Sequence, residues 1–109
     1  MLEADTGARA LELCLSEKPD IVLLDVGLPD YTGFEVCSRI KADPRNSSVR
    51  VLLISAIYKE VSDQVQGLLS GAEEMLVHPV ELQVLGAVVD SILAGTYQPK
   101  TPLDRAVRM

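Results

Sequence analysis

Asp25 is the residue of this sequence best placed to do chemistry, because it is a single carboxylate at the end of an apolar run. Residues 21–24 are all aliphatic, and turn-forming residues begin at Gly27. Two later apolar runs also end at polar groups, the hydroxyl of Ser55 and the imidazole of His78. A carboxylate can act as a nucleophile, and a hydroxyl or an imidazole beside it can contact a bound anion. The pattern indicates one shared site, although a lone carboxylate at a strand end is often only a cap or turn residue.

Strands and helices must position these groups. A short apolar run bounded by turn signals predicts a strand covered on both faces, which implies helices above and below a parallel sheet. We predict strands over residues 20–25, 49–54 and 75–77, and helices over residues 6–17, 34–43, 60–70 and 81–94. This α-β-α-β-α-β-α order favours right-handed crossovers, so the carboxyl ends of the strands, with Asp25, Ser55 and His78, should meet at the edge where ligands collect.

Length and net charge limit the classes of protein to which this chain can belong. A chain of 109 residues, with 48% hydrophobic and 24% charged residues, is the size of one domain. We expect a domain over residues 1–95 and a linker or disordered tail over residues 96–109. The net charge of −6 argues against a nucleic-acid partner. No apolar run approaches about 18 residues and no signal peptide opens the chain, so we expect no membrane partner and a cytoplasmic location.

The spacing of apolar residues predicts which face of each helix is buried. In the first helix this face carries Ala8, Leu11, Cys14 and Leu15, and in the third it carries Val61, Val65, Leu68 and Leu69. The last helix has a stripe of Leu82, Leu85, Val89, Ile92 and Leu93, which Val84, Ala87 and Val88 widen. Because this helix is apolar nearly all round, we hypothesise that its outer side docks on a partner.

Other polar residues have ordinary structural interpretations. We expect the acidic pair at residues 73–74 to form a solvated surface, and Asp30 and Tyr31 to be solvated loop residues. The two cysteines, Cys14 and Cys37, fall within predicted helices and lack the spacing of a metal site. We expect both to be small core residues.

The chain also carries many motifs in a fixed order. They are Lys18-Pro-Asp-Ile-Val-Leu-Leu-Asp25, Leu28-Pro-Asp30, Gly33-Phe-Glu-Val-Cys37, Ile40-Lys-Ala-Asp-Pro44, Val51-Leu-Leu-Ile-Ser-Ala56, Gly67, Gly71-Ala72 and Val77-His-Pro79. With these motifs the sequence resembles the receiver domain of two-component response regulators over residues 4–94. The resemblance implies a flavodoxin-like α/β fold, with a parallel sheet and flanking helices, and a role in phosphorelay signal transduction.

The resemblance also implies roles for single residues. Asp25 matches the family's phosphoacceptor, which takes a phosphoryl group from a histidine kinase or a phosphotransfer protein. Ser55 matches the hydroxyl that hydrogen-bonds a phosphoryl oxygen, and His78 occupies the position of a lysine that pairs with the phosphoryl group. In the family, Mg²⁺ is held by the phosphoacceptor, by a backbone carbonyl, here that of Gly27, and by two acidic residues that end the first strand. Such domains are not enzymes beyond their own phosphorylation and dephosphorylation.

Three departures from the family pattern bear on these roles. The first strand, the first helix and the acidic pair are missing, and Glu3 and Asp5 are not that pair, so we expect a receiver domain truncated at its start. His78 is a weaker phosphate partner than lysine because imidazole is mostly neutral at pH 7. Met75 replaces the family's aromatic switch residue. Because the missing strand is central, residues 21–24 should present an unpaired strand edge. We expect another chain to pair with this edge, or a homodimer to form through that edge or through the last helix.

Two other functions remain open. A degenerate receiver that no longer takes phosphate would act as a phosphorylation-independent interaction module, which His78, Met75 and the missing acidic pair favour. An aspartyl-phosphate hydrolase of the haloacid-dehalogenase kind would need a second aspartate at the position of Gly27 and is disfavoured. The strand end at Ser55 and the trailing linker are similar to those of receivers appended to hybrid sensor kinases.

Overall fold

Four parallel strands form one sheet with helices on both faces. The structure, a computed structural model, describes residues 2–56, 60–77, 79 and 81–96. The strands are β1 (Leu2–Ala4), β2 (Ile21–Asp25), β3 (Arg50–Ser55) and β4 (Glu74–Val77), in the spatial order β1-β2-β3-β4. The helices are α1 (Gly7–Glu17), α2 (Gly33–Ala42), α3 (Val61–Leu69) and α4 (Leu82–Ala94), with a 3-10 turn over Pro44–Asn46. The predicted α/β fold is confirmed.

Side-chain caps set where the first two helices begin. The Thr6 hydroxyl accepts a hydrogen bond from the Arg9 backbone N–H at 3.1 Å, as its position at the predicted helix start suggests. The Thr32 hydroxyl accepts from the Glu35 N–H at 3.2 Å in the same way. Helix α2 ends before Pro44, which has no N–H to continue the ladder.

Two apolar clusters pack against the two faces of the sheet. One cluster joins β2 and β3 to α1 and α2, and it includes both cysteines, which are free and fully buried as predicted. The other joins the opposite face of β2 and β3 to α4, with Ile92 at its centre. Because β2 is buried on both faces, its side chains alternate between the two clusters up to Leu24.

The first strand changes the expected edge of the sheet. The predicted order begins with a helix, but β1 precedes it and pairs with β2, with Leu2 opposite Val22 and Ala4 opposite Leu24. The prediction that residues 21–24 form an unpaired edge is therefore wrong, because the backbone of β1 fills that side of the ladder. No strand lies between β1 and β2 in the described part of the chain. The sheet thus joins two strands that the resemblance expects to be separated.

The predicted buried faces of α1 and α3 are only partly right. In α1 the buried residues are Gly7, Ala10 and Cys14, whereas Ala8 and Leu15, both predicted on the buried face, are exposed. Helix α3 packs on the sheet through Gly67, where an added Cβ would lie 2.9 Å from the Met75 sulfur. This close approach turns Leu69 outward, and it is 83% exposed. The face of a helix that is buried depends on which of its residues allow the closest contact with the sheet. The spacing of apolar residues alone does not predict that contact.

The acidic pair at residues 73–74 is not a solvated surface, contrary to expectation. Glu74 is only 1% exposed, and its carboxylate accepts the Met75 backbone N–H at 2.9 Å. Glu73 accepts the Val51 backbone N–H at 2.6 Å and lies 2.8 Å from the Lys41 ammonium. Glu74 is therefore buried with a hydrogen bond to the backbone, whereas Glu73 is half-buried and is bound by both a backbone N–H and the Lys41 cation, so protein groups replace much of the water around these carboxylates.

Two further expectations concern the C-terminal part of the chain. The linker or tail predicted for residues 96–109 lies, apart from Thr96, outside the described residues. Among the helices that the structure describes, none combines the length and the apolar composition that crossing a bilayer requires.

Candidate functional site

Asp25 is the last residue of β2 and its side chain is exposed, whereas the four residues before it are buried. The ladder continues one step further, because the Val26 N–H donates to the Ile54 carbonyl at 3.0 Å. The carboxylate oxygen Oδ1 of Asp25 accepts the Gly27 backbone N–H at 2.8 Å. One carboxylate oxygen is therefore oriented by the loop that follows the strand, at the carboxyl edge of a parallel sheet.

Ser55 and His78 were predicted to share this edge with Asp25. Ser55 is the last residue of β3, one position beyond the residue paired with Asp25, and it is 1% exposed. It pairs with Val77, the last residue of β4. His78 lies outside the described residues, so its side chain has no described position.

The Asp25 and Ser55 side chains leave the edge toward opposite faces of the sheet. By strand alternation Asp25 shares its face with Leu23, on the side of α4, and Ser55 shares its face with Leu53, on the side of α1 and α2. A ligand could contact both side chains only above the edge, where the strands end, and not on either face.

A cleft of about 270 Å³ opens beside Asp25, and some of the residues that line it were not predicted to lie near this carboxylate. Its described lining residues are Glu3, Ala4, Asp5, Leu23, Asp25, Ile54 and Leu85. Glu3 and Asp5 enter this lining because β1 lies directly beside β2, and Glu3 is opposite Leu23. Local pattern predicts no strand over residues 2–4, since three residues are too few for a periodic signal, so the position of Glu3 and Asp5 in this cleft was not predictable from the sequence.

The fit of these residues to Mg²⁺ is poor. Mg²⁺ requires near-octahedral oxygen ligands, usually with more than one carboxylate. Among the described residues, no group of three or more histidine, cysteine, aspartate or glutamate side chains is arranged to hold a metal ion. Glu3 and Asp5 line the same cleft as Asp25, but among the described residues these carboxylates are not arranged to hold a metal ion together with Asp25 and the Gly27 carbonyl.

The loop after Asp25 folds back tightly on the end of β2. The Gly33 N–H donates to the Val26 carbonyl at 2.8 Å. A Cβ added to Gly33 would lie 2.7 Å from both the Asp25 carbonyl oxygen and the Val26 Cα, which are backbone atoms that cannot yield. Glycine is therefore required where α2 begins, because only glycine allows this approach to the strand that carries Asp25.

Asp30 is an exposed loop residue, as the sequence suggests, but its carboxylate also makes hydrogen bonds within the protein. Its carboxylate accepts backbone N–H groups from Gly7 at 2.7 Å, Ala8 at 3.0 Å and Tyr31 at 2.9 Å. The N–H groups of Ala8 and Gly7 lower the pKa of the Asp30 carboxyl below its ordinary value. The hydrogen bonds from Gly7 and Ala8 were not predictable from local pattern, because these two donors belong to α1, more than twenty residues away in the chain.

Comparison with known proteins agrees with this architecture. The family model of the response regulator receiver domain matches residues 1–90. The "DNA-binding dual master transcriptional regulator RpaA" of Synechocystis sp. is 33% identical over 94 residues, which are 86% of this chain and 39% of that protein. The response regulator PleD of Caulobacter vibrioides is 41% identical over 86 residues, which are 79% of this chain and 19% of that protein. The chain spans well under half the length of these two relatives.

A solved structure shows that the similarity extends from sequence to three-dimensional structure. The crystal structure of a response regulator from Chloroflexus aurantiacus J-10-fl superposes with a TM-score of 0.77 at 32% identity, over 84% of this chain and 74% of that chain. The family model, the sequence relatives and the parallel sheet with a carboxylate at its edge all indicate a phosphoacceptor domain of two-component signalling. This chain belongs to the response regulator receiver domain family.

Proposed function

We propose that this receiver domain accepts a phosphoryl group on Asp25 from a histidine kinase or a phosphotransfer protein in the cytoplasm. The single observation that carries the proposal is the exposed Asp25 carboxylate at the carboxyl edge of the sheet, with one oxygen held by the Gly27 N–H. A carboxylate in this position can be reached by a phosphodonor and is already oriented by the backbone.

The transfer step follows from the chemistry of an acyl phosphate. With Oδ1 of Asp25 engaged by Gly27, the other carboxylate oxygen attacks phosphorus. The bond between phosphorus and the donor nitrogen breaks, and its electron pair remains on the donor. In this proposal the Ser55 hydroxyl donates to a phosphoryl oxygen above the edge, and His78 contacts the phosphoryl group at the position of the family's lysine. Because the described residues fit Mg²⁺ poorly, we assign no step to the metal.

The test uses the whole chain with acetyl phosphate and MgCl₂, followed by intact-mass measurement. We expect a mass increase of one phosphoryl group in the wild type and in Asp90→Asn, an exposed aspartate on α4. The increase should be lost in Asp25→Asn. A folded wild-type chain that gains no phosphoryl group would contradict the proposal and would favour the phosphorylation-independent interaction module.

We further propose that the outer side of α4 is a surface through which two copies of this chain associate. Val84 is 49% exposed. Leu82 and Leu93 were predicted to lie on the buried stripe of this helix, but that prediction is wrong for both, because Leu82 is 84% exposed and Leu93 is also exposed. Val88 does not belong to this surface, because it packs against the cluster around Ile92. Exposed leucine and valine side chains of this kind gain free energy when a partner removes them from water.

Substitution tests this surface without disturbing the core. The double variant Leu82→Glu with Val84→Glu should weaken self-association in sedimentation velocity, and a wild-type chain that is monomeric throughout would contradict this surface. Leu69→Glu is the matched control, because Leu69 is 83% exposed but lies on α3. Equal loss in the control, or no loss in the double variant, would remove α4 from the interaction surface.

A further inference from the structure

The Asp30 carboxylate joins two parts of the molecule that are far apart in sequence. It accepts the N–H groups of Gly7 and Ala8, in the first turn of α1, and also the N–H of its neighbour Tyr31. The first N–H groups of a helix lack partners within the helix, so a carboxylate there is stabilised by both hydrogen bonds and the helix dipole. The loop that follows Asp25 is therefore attached to α1 through this one side chain.

Close packing reinforces the attachment. A Cβ added to Gly7 would lie 2.7 Å from the Tyr31 ring and 2.7 Å from a methyl group of Val36, so the helix start and the loop are already in contact. The Arg39 guanidinium lies over the Tyr31 ring, 4.7 Å from its centroid, and its charge is attracted to the ring face. The segment around Asp30 is thus held from both sides.

The same loop is fixed again at its two ends. At its start the Gly27 N–H is bound to Asp25 Oδ1, and at its end the Gly33 N–H is bound to the Val26 carbonyl. Only residues 26–29 lie between the end of β2 and the Asp30 attachment. A displacement of Asp30 must therefore be absorbed by these few residues, and it would move the Gly27 N–H relative to the Asp25 carboxylate.

We propose that Asp30 is a positioning residue for the phosphoacceptor, which by holding the loop on α1 keeps the Gly27 N–H aligned with the Asp25 carboxylate. This inference rests on the proposed phosphorylation of Asp25. Helix α1 is then mechanically linked to Asp25, because a movement of its first turn is transmitted through Asp30 to Gly27. Loss of alignment at a reacting group reduces rate strongly even when the fold is retained.

The first experiment compares the rate of phosphoryl uptake from acetyl phosphate in three variants. Asp30→Ala removes all three hydrogen bonds and should slow uptake by about tenfold or more. Asp30→Asn retains one acceptor oxygen and should recover part of that loss. Asp43→Ala is the matched control, because Asp43 is also an aspartate that accepts a backbone N–H, that of Arg45 at 2.9 Å, but it lies at the other end of α2. The control should react at the wild-type rate.

The second experiment separates positioning from general destabilisation. Hydrogen exchange of the Gly27 amide, followed by NMR, should become faster in Asp30→Ala and stay unchanged in Asp43→Ala, even if both variants lose the same thermal stability. If Asp30→Ala does not fold, the same comparison is made with Asp30→Asn. Unchanged Gly27 exchange, or a folded Asp30→Ala with wild-type uptake, would overturn the inference. If the wild type takes up no phosphoryl group, the proposed function fails, and Gly27 exchange alone decides whether Asp30 holds the loop.

Discussion

The Lys41 ammonium lies 2.8 Å from the Glu73 carboxylate and 2.6 Å from the Val49 carbonyl oxygen, so one side chain joins α2 to the start of β3 and to the segment before β4. Glu73 in turn accepts the Val51 N–H at 2.6 Å. The Lys41 side chain is 24% exposed and that of Glu73 is 27% exposed. Water competes only weakly with these bonds, so the pair should contribute to stability more than a surface ion pair does.

Substitution of Glu73 tests this contribution. Glu73→Ala removes the partner of the Val51 N–H and leaves the Lys41 ammonium with only the Val49 carbonyl, and we expect the free energy of unfolding to fall by about 1–3 kcal/mol. The measurement is urea unfolding followed by circular dichroism. Glu12→Ala is the control, because its ion pair with Arg9 is exposed on both sides, and the expected change is about 0–1 kcal/mol. Similar losses in both variants would contradict the special role of Glu73.

Substitution of Gly33 tests the tight return of the loop onto β2. In Gly33→Ala the new Cβ would lie 2.7 Å from backbone atoms of Asp25 and Val26, so strand and loop must separate. We expect a loss of about 1–3 kcal/mol in thermal unfolding, the usual cost of overpacking. Gly86→Ala is the matched control in α4, where nothing lies within 4 Å of the added Cβ. It should gain about 0.5–1 kcal/mol because alanine favours helix.

The hydrogen bonds to Asp30 predict a pH dependence of stability. They favour the ionised carboxylate and hold its folded pKa below the ordinary value of 3.8. The stability they contribute is therefore present above that value and is lost as the pH falls through the lower folded pKa. Wild type and Asp30→Asn should differ most in melting temperature at neutral pH, and the gap should narrow below pH 3.8.

Asp43 does not confound this comparison. Its pKa is also lowered, by hydrogen bonds from Arg45, but it is present in both proteins and its effect cancels in the difference. Thermal melts at neutral pH and at two pH values below 3.8 provide the measurement. A gap that widens on acidification would show that the Asp30 carboxylate is not stabilised in its ionised form.

The buried cysteines predict slow thiol chemistry in the folded protein. Burial raises the pKa of Cys37 to about 11 and also raises the pKa of Cys14. Because the thiolate is the reactive form, a disulfide reagent at pH 8 should react with neither thiol until the chain unfolds. In denaturant the same reagent should titrate both free cysteines. Rapid reaction of one thiol in the native protein would contradict its burial.

Local pattern was sufficient for the elements that carry the candidate site. The strand predicted over residues 20–25 is observed as Ile21–Asp25, and the helix predicted over residues 81–94 is observed as Leu82–Ala94. Both predictions depend on neighbouring residues alone, namely an apolar run or a helical stripe bounded by turn residues. The strand ends follow from the same pattern, and so does the placement of Asp25 and Ser55 at one edge of a parallel sheet.

Contacts between residues that are distant in sequence decided the features that local pattern did not predict. Strand β1 has three residues, too few for a periodic signal, and it exists because it pairs with β2. Leu69 faces solvent because Gly67, not the leucines, meets Met75. Asp30 is bound because the first turn of α1 has N–H groups without helical partners and lies beside it.

By itself the sequence determined the kind of sheet, the edge at which its strands end and the carboxylate presented there, since short-range burial and turn preferences encode these features. Only the tertiary structure decided which strand lies beside Asp25 and which side chain holds the loop that follows it. The physical reason is that hydrogen bonds and packing between residues twenty or more positions apart depend on the closed fold, and no local segment of the chain contains both partners.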